Sequence, residues 1–130
     1  MNNLEIQELI NEFKIKNFLG IFMRDEIPLS QLSKFYFIYN TQASNENGSH
    51  WNLFCRIDYK YYHASSFGDD PSKEITDKYK PIMSSTFRSQ GYSEKSCGLY
   101  CILLIYLLEH GNSFEDSILE LTKSADLRSD

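Results

Sequence analysis

Apolar residues recur at Ile6, Leu9, Ile10 and Phe13, a spacing that lines one face of a helix. Asn2 and Glu5 supply the side chains of a capping box, so the pattern predicts an amphipathic helix over residues 4–14. NFLGIFMRDEIP (17–28) reads as a loop with one short apolar element, interrupted by Gly20 and Pro28. KFYFIYN (34–40) is aromatic and β-branched enough for a buried strand. Residues 40–49 are polar and rich in Asn, Ser and Gly, the composition of a loop.

HWNLFCRI (50–57) alternates, with Trp51, Leu53, Cys55 and Ile57 on one face and His50, Asn52, Phe54 and Arg56 on the other. YKYYHAS (59–65) can pair with it across a tight turn near Asp58. SFGDDPS (66–72) reads as a loop and PIMSSTFR (81–88) as a weaker strand. After the polar run RSQGYSEKS the chain turns apolar on every side from Leu99 to Leu108, the signature of a helix at the centre of a core. Gly111 closes that helix, and Ser113 with Asp116 opens a more polar last one. Strands followed by helices predict an α+β fold: a small antiparallel-containing sheet packed on a central buried helix, in one domain over 1–130.

Composition narrows the class. An apolar share of 42% with 15% aromatics supports a folded core. A net charge of −5 gives no electrostatic footprint for nucleic acid. No apolar run reaches the ~18 residues that span a bilayer. The N-terminal MNNLEIQELINEF carries acids where a signal peptide carries bases, so an intracellular site is expected. The three cysteines, Cys55, Cys97 and Cys101, are odd in number and form no CxxC pair, which argues against a disulfide framework.

Cys97 stands where the polar loop becomes the buried helix. A thiol in the first helical turn feels the positive end of the dipole, which favours thiolate; the plainer alternative is a small core residue beside Cys101. His50 opens a strand after Asn-Gly-Ser and could serve such a thiol as general base, or be a hydrogen-bonded edge residue. His110 suits the C-terminal end of the buried helix, where a cation is favoured, and His63 sits mid-strand with no evident partner. Zinc needs close ligand pairs, and Cys101 of the one such pair falls in the buried run, so neither metal nor cofactor is expected.

Four stretches together resemble the adenain-type cysteine endopeptidases, a family found also in virophages and Maverick/Polinton elements. They are NFLGIFMRDEIP, His50-Trp51 after Asn-Gly-Ser, the Ser-Phe-Gly of 66–68, and QGYSEKSCGLYC of 90–101, with Gln90 seven positions before Cys97. The likeness spans roughly residues 17–108. It implies the adenain/Ulp1-like fold with the nucleophile Cys97 at the start of the buried helix, His50 as its base, and Gln90 donating to the oxyanion. Trp51 would lie beside the histidine. Where the family places an acid to orient that histidine, this chain has Ser65. A hydroxyl accepts the imidazole N–H but cannot stabilise imidazolium as a carboxylate does. A Cys-His dyad, a triad using Ser65, or an acid reaching back from Asp69 or Asp70 are the options.

The resemblance implies cleavage of a polypeptide, a capsid or virion precursor, near small or glycine residues. The host cytoplasm or virus factory is the implied location, with packaging in the virion a further option. The chain is shorter than adenain, implying a minimal core; the acidic charge argues against carrying over adenain's help from DNA, and an activating peptide stays an open partner. Two alternatives share the fold: a peptidase for ubiquitin-like (SUMO-type) modifiers, and a catalytically impaired homologue acting as a binding module.

Overall fold

The computed structural model describes residues 2–41, 50–85 and 96–128. Helix α1 (Asn3–Glu12) starts at the capping box: the Asn2 side chain accepts from Glu5 N at 2.9 Å, and Glu5 Oε1 accepts from Asn2 N at 3.1 Å. Strand β1 (Phe18–Met23) and a short 3-10 turn (Arg24–Glu26) follow. The short apolar element expected within a loop is therefore a six-residue strand that runs through Gly20. Gly20, with φ +142, sits where the register with the next strand slips between Phe18 and Gly20, so the glycine makes a bulge rather than a break.

Strands β2 (Phe35–Asn40), β3 (Trp51–Ile57), β4 (Lys60–Ala64) and β5 (Ile82–Ser84) complete a five-stranded sheet in the order β1-β2-β3-β4-β5. The pairs β2–β3 and β3–β4 are antiparallel, and the two outer pairs are parallel. The β3–β4 hairpin turns through Asp58 and Tyr59, both at positive φ (51° and 66°) as a two-residue hairpin turn demands. Helix α2 (Lys73–Lys78), α3 (Cys97–Glu109) and α4 (Phe114–Arg128) complete the elements. Six-residue α2 is too short to show a period and buries only Ile75, which is why the sequence pattern passed over it.

The sheet is covered on both faces, and that explains why every residue of β2 is buried. On one face Tyr36, Ile38, Leu53, Cys55 and Ala64 pack under α3, with α1 and α4 flanking through Ile6, Ile10, Phe114, Ile118 and Leu121. The apolar α3 is buried at Tyr100, Cys101, Ile102, Leu104, Ile105 and Leu108, as a central helix must be. On the other face Phe35, Phe37, Tyr39 and Phe54 pack with Ile27, Ile75 and Tyr79. Tyr79 also donates its hydroxyl to Pro28 O at 2.8 Å and accepts from Ser30 N at 2.9 Å, binding the long β1–β2 connection down.

Helix α3 ends at His110, whose Nδ1 lies 2.8 Å from Tyr106 O, and Gly111 follows at φ +88. Asp116 N donates to Ser113 Oγ at 3.1 Å at the start of α4. Among the described residues no helix is long and apolar enough to cross a membrane.

Candidate active site

Cys97 is the first residue of α3, at the switch from polar loop to apolar helix. The Ser96 side chain makes no cap bond at the start of the helix. The thiol is fully buried. Burial pushes it above the ordinary thiol range, against the pull of the Trp51 N–H and the first amides of the helix, Gly98 and Cys97. That burial opposes the thiolate a helix start alone would favour. Desolvation outweighs the helix terminus here.

The peptide of Trp51 ties the start of β3 to this helix. Trp51 N donates to Cys97 Sγ at 3.3 Å, and one turn along the helix Cys101 Sγ donates to Trp51 O at 3.6 Å. The i, i+4 spacing of the two cysteines puts both sulfurs on one side of α3, facing the backbone of the same residue, Trp51. His50 immediately precedes that peptide and is almost fully buried. Its own carbonyl accepts from Thr41 N at 3.0 Å, which fixes the backbone where the β2–β3 pair ends. Trp51 is buried in the helical core, so its indole also serves packing.

The imidazole of His50 is held from the loop after β4. Nε2 lies 3.0 Å from Ser65 Oγ and 3.0 Å from Asp69 Oδ2. Ser65 Oγ donates to Asp69 Oδ2 at 3.3 Å and accepts from Phe67 N at 3.1 Å. A hydroxyl has one hydrogen, so with Asp69 as acceptor the Ser65 oxygen is left to accept, from Phe67 N and from His50 Nε2–H. The Phe67 ring stacks on the imidazole, centroids 4.2 Å apart and planes 5° from parallel. The turn that brings it there closes through Gly68 N to Ser65 O at 3.1 Å, with Gly68 at φ 73.

Ser65 and Asp69 therefore meet at the His50 imidazole, and Cys97 Sγ rests on the N–H of the next residue, Trp51. The family-like alignment puts Ser65 where the family has an acid; in space a carboxylate, that of Asp69, reaches the imidazole from four residues further on. Gln90 lies outside the described residues, as does the surrounding 86–95 segment. His63, with no evident partner along the chain, has its Nε2 2.7 Å from the Tyr39 hydroxyl. That pair reaches from β2 to β4 across the intervening β3, and no linear motif announces it. Burial and the nearby His50 lower the His63 pKa from 6.5 to about 3, so its ring is neutral.

The other two cysteines, Cys55 and Cys101, are fully buried free thiols, and burial raises both well above the usual range. Among the described residues no three His, Cys, Asp or Glu side chains converge on a point that could hold a metal ion. A cavity of about 640 Å³ opens beside Trp51, walled by Asn2, Glu5, Phe22, Glu26 and Asn40.

No protein-family model matches the chain, and no curated protein matches it in sequence. In three dimensions it is similar to the crystal structure of the ASFV pS273R protease, with a TM-score of 0.51 and 18% identity over 74% of this chain. The match takes in 44% of that protease's chain, so this chain corresponds to less than half of it. At that identity the likeness shows a common fold, here the mixed α+β fold with a five-stranded sheet.

Proposed function

We propose that this chain, which shares its fold with a viral protease, is a cysteine endopeptidase. The observation that carries the reading is local: His50 is bracketed by Ser65 and Asp69, while the N–H of the very next residue rests on the Cys97 sulfur. A thiol, an imidazole on the adjoining residue of the strand it touches, and a carboxylate on that imidazole are the parts that covalent acyl transfer requires.

In the proposed reaction Cys97 Sγ attacks the carbonyl carbon of the scissile peptide. His50 takes the thiol proton as the C–S bond forms. Nε2 is committed to Ser65 and Asp69, so we assign this transfer to Nδ1, which is shielded from solvent. Because burial raises the thiol, the proton leaves during attack rather than before it. The tetrahedral oxyanion is met by the Cys97 backbone N–H at the helix start, and in the family-like assignment by the Gln90 amide. Imidazolium, stabilised by Asp69, returns the proton to the leaving amine, giving a thioester on Cys97. Water activated by His50 then cleaves the thioester and restores the thiol.

A capsid or virion precursor, cut near small or glycine residues, is the substrate we put forward. The test is cleavage of such a precursor and of a SUMO or ubiquitin reporter by wild type and Cys97→Ala. Cutting of the precursor that disappears in Cys97→Ala supports the reading. Cutting of the modifier reporter alone moves the substrate class to ubiquitin-like tails. If Cys97→Ala cuts as well as wild type, the thiol mechanism is wrong.

A further inference from the structure

Asp69 supplies the carboxylate to His50 from a loop, and its side chain is 46% exposed. A half-exposed acid orients a base only if something fixes its backbone. The near end of the loop is fixed by the Gly68–Ser65 turn and by Phe67 N on Ser65 Oγ. The far end, three residues past Asp69, is fixed from inside the sheet: Ser72 N donates to the Tyr39 hydroxyl at 3.3 Å.

Tyr39 is fully buried on β2, directly opposite Asn52 of β3. Its hydroxyl meets three groups: Ser72 N, Asn52 Nδ2 at 3.4 Å and His63 Nε2 at 2.7 Å. A phenol has one hydrogen and two acceptor lone pairs, and the two amide nitrogens can only donate. The single hydrogen therefore goes to His63 Nε2, the shortest of the contacts. His63 must then carry its own proton on Nδ1 and stay neutral. A protonated His63 would donate through Nε2 and turn the hydroxyl hydrogen away, toward the two amide donors and the Ser72 side chain. The neutral ring thus sets the direction in which Tyr39 presents its lone pairs.

Resting on the endopeptidase reading, we propose that Tyr39 is a positioning residue for the site: through Ser72 N–H it holds the 65–72 loop so that Asp69 stays on His50, and neutral His63 fixes its hydroxyl. Tyr39 touches no reacting atom. It acts at one remove, through a main-chain hydrogen bond, on the acid that orients the base.

The experiment is Tyr39→Phe in the full chain, which removes the hydroxyl and keeps the ring. Its reciprocal, Ser72→Pro, removes the N–H from the other side. Ser72 has φ −66, which a proline ring accepts, and its carbonyl bonds to Ile75 N and Thr76 N are unaffected. Each variant should lose roughly 10- to 100-fold in kcat, the range for removing a group that orients a functional ligand, with KM within about twofold. In an Asp69→Asn background neither should cost anything more, because the acid they position is gone. Amide exchange gives a readout independent of turnover: in Tyr39→Phe, Ser72 N–H should exchange at least about tenfold faster than in wild type. Unchanged Ser72 exchange overturns the proposal, and so does a kcat loss that recurs in full in the Asp69→Asn background. If wild type cuts nothing yet Tyr39→Phe frees the Ser72 amide, the tether stands and the endopeptidase reading fails.

Discussion

At the scale of single residues, the question is which group stabilises a charged His50. Ser65 and Asp69 both reach Nε2 at 3.0 Å, but only Asp69 carries charge. Asp69→Asn should therefore cost about 100-fold in kcat/KM; a fully buried orienting aspartate costs nearer 10⁴, and this one is partly solvated. Ser65→Ala, which removes a support of the carboxylate, should cost about tenfold. Ser65→Asp should give no gain, because a second carboxylate would sit against the first and the pair would hold a proton between them at neutral pH. Peptide-cleavage kinetics on the three variants check the order, and a faster Ser65→Asp would make the serine a missing acid instead. Cys97 yields a second prediction. With the thiol raised above its usual value of 9.0, its alkylation should keep accelerating past pH 9. Cys97 should also label before Cys55 and Cys101, which burial raises with less opposing it. Peptide mapping of iodoacetamide adducts across pH reads both, and a plateau near neutrality would mean that an ion pair with His50 overrides burial.

At the scale of elements, what the sequence revealed depended on how much of each element's burial follows a period. The central helix was legible because it is apolar all round, and the β3–β4 hairpin because β3 alternates; both are where the pattern placed them. β1 was not. Gly20 reads as a breaker, while in the sheet it occupies a bulge at φ +142, a value few other residues adopt. A Cβ there would also come within 3.1 Å of the Phe22 ring. Gly20→Ala should thus destabilise the fold by about 1–3 kcal/mol, read as a lower urea midpoint at unchanged slope. No loss would mean that the bulge can close into regular pairing. The site divided in the same way. Cys97, His50 and the Phe-Gly turn lie in contiguous motifs and could be found in order. Asp69 was legible only as one of two acids the loop offered; that it is the one at His50, and that Tyr39 bonds the same loop, depends on how the loop folds back onto the sheet, which local residue types do not fix.

At the scale of the whole molecule, the sheet separates an apolar helical face from an aromatic one, and the buried polar group Tyr39–His63–Asn52 lies where the aromatic face meets the site. That placement couples acid stability to the same cluster. The folded His63 pKa is lowered to about 3, below its ordinary 6.5, so the folded state refuses a proton that the unfolded chain accepts. Stability linked to His63 is then fully present above pH 6.5 and is lost as pH falls toward 3. The loss approaches ~1.4 kcal/mol per pH unit inside that window, up to about 3 kcal/mol between neutrality and pH 4. His50, as the neighbouring positive charge, deepens the shift when it is protonated. His63→Gln keeps an acceptor for Tyr39 but does not titrate, so its urea midpoint should fall less than that of wild type between pH 7 and pH 4. Carboxylates titrate alike in both proteins, and the difference between the two slopes isolates His63. Parallel slopes would mean that His63 takes up its proton without opening the fold, and that the ring is not locked in the neutral form on which the Tyr39 hydroxyl depends.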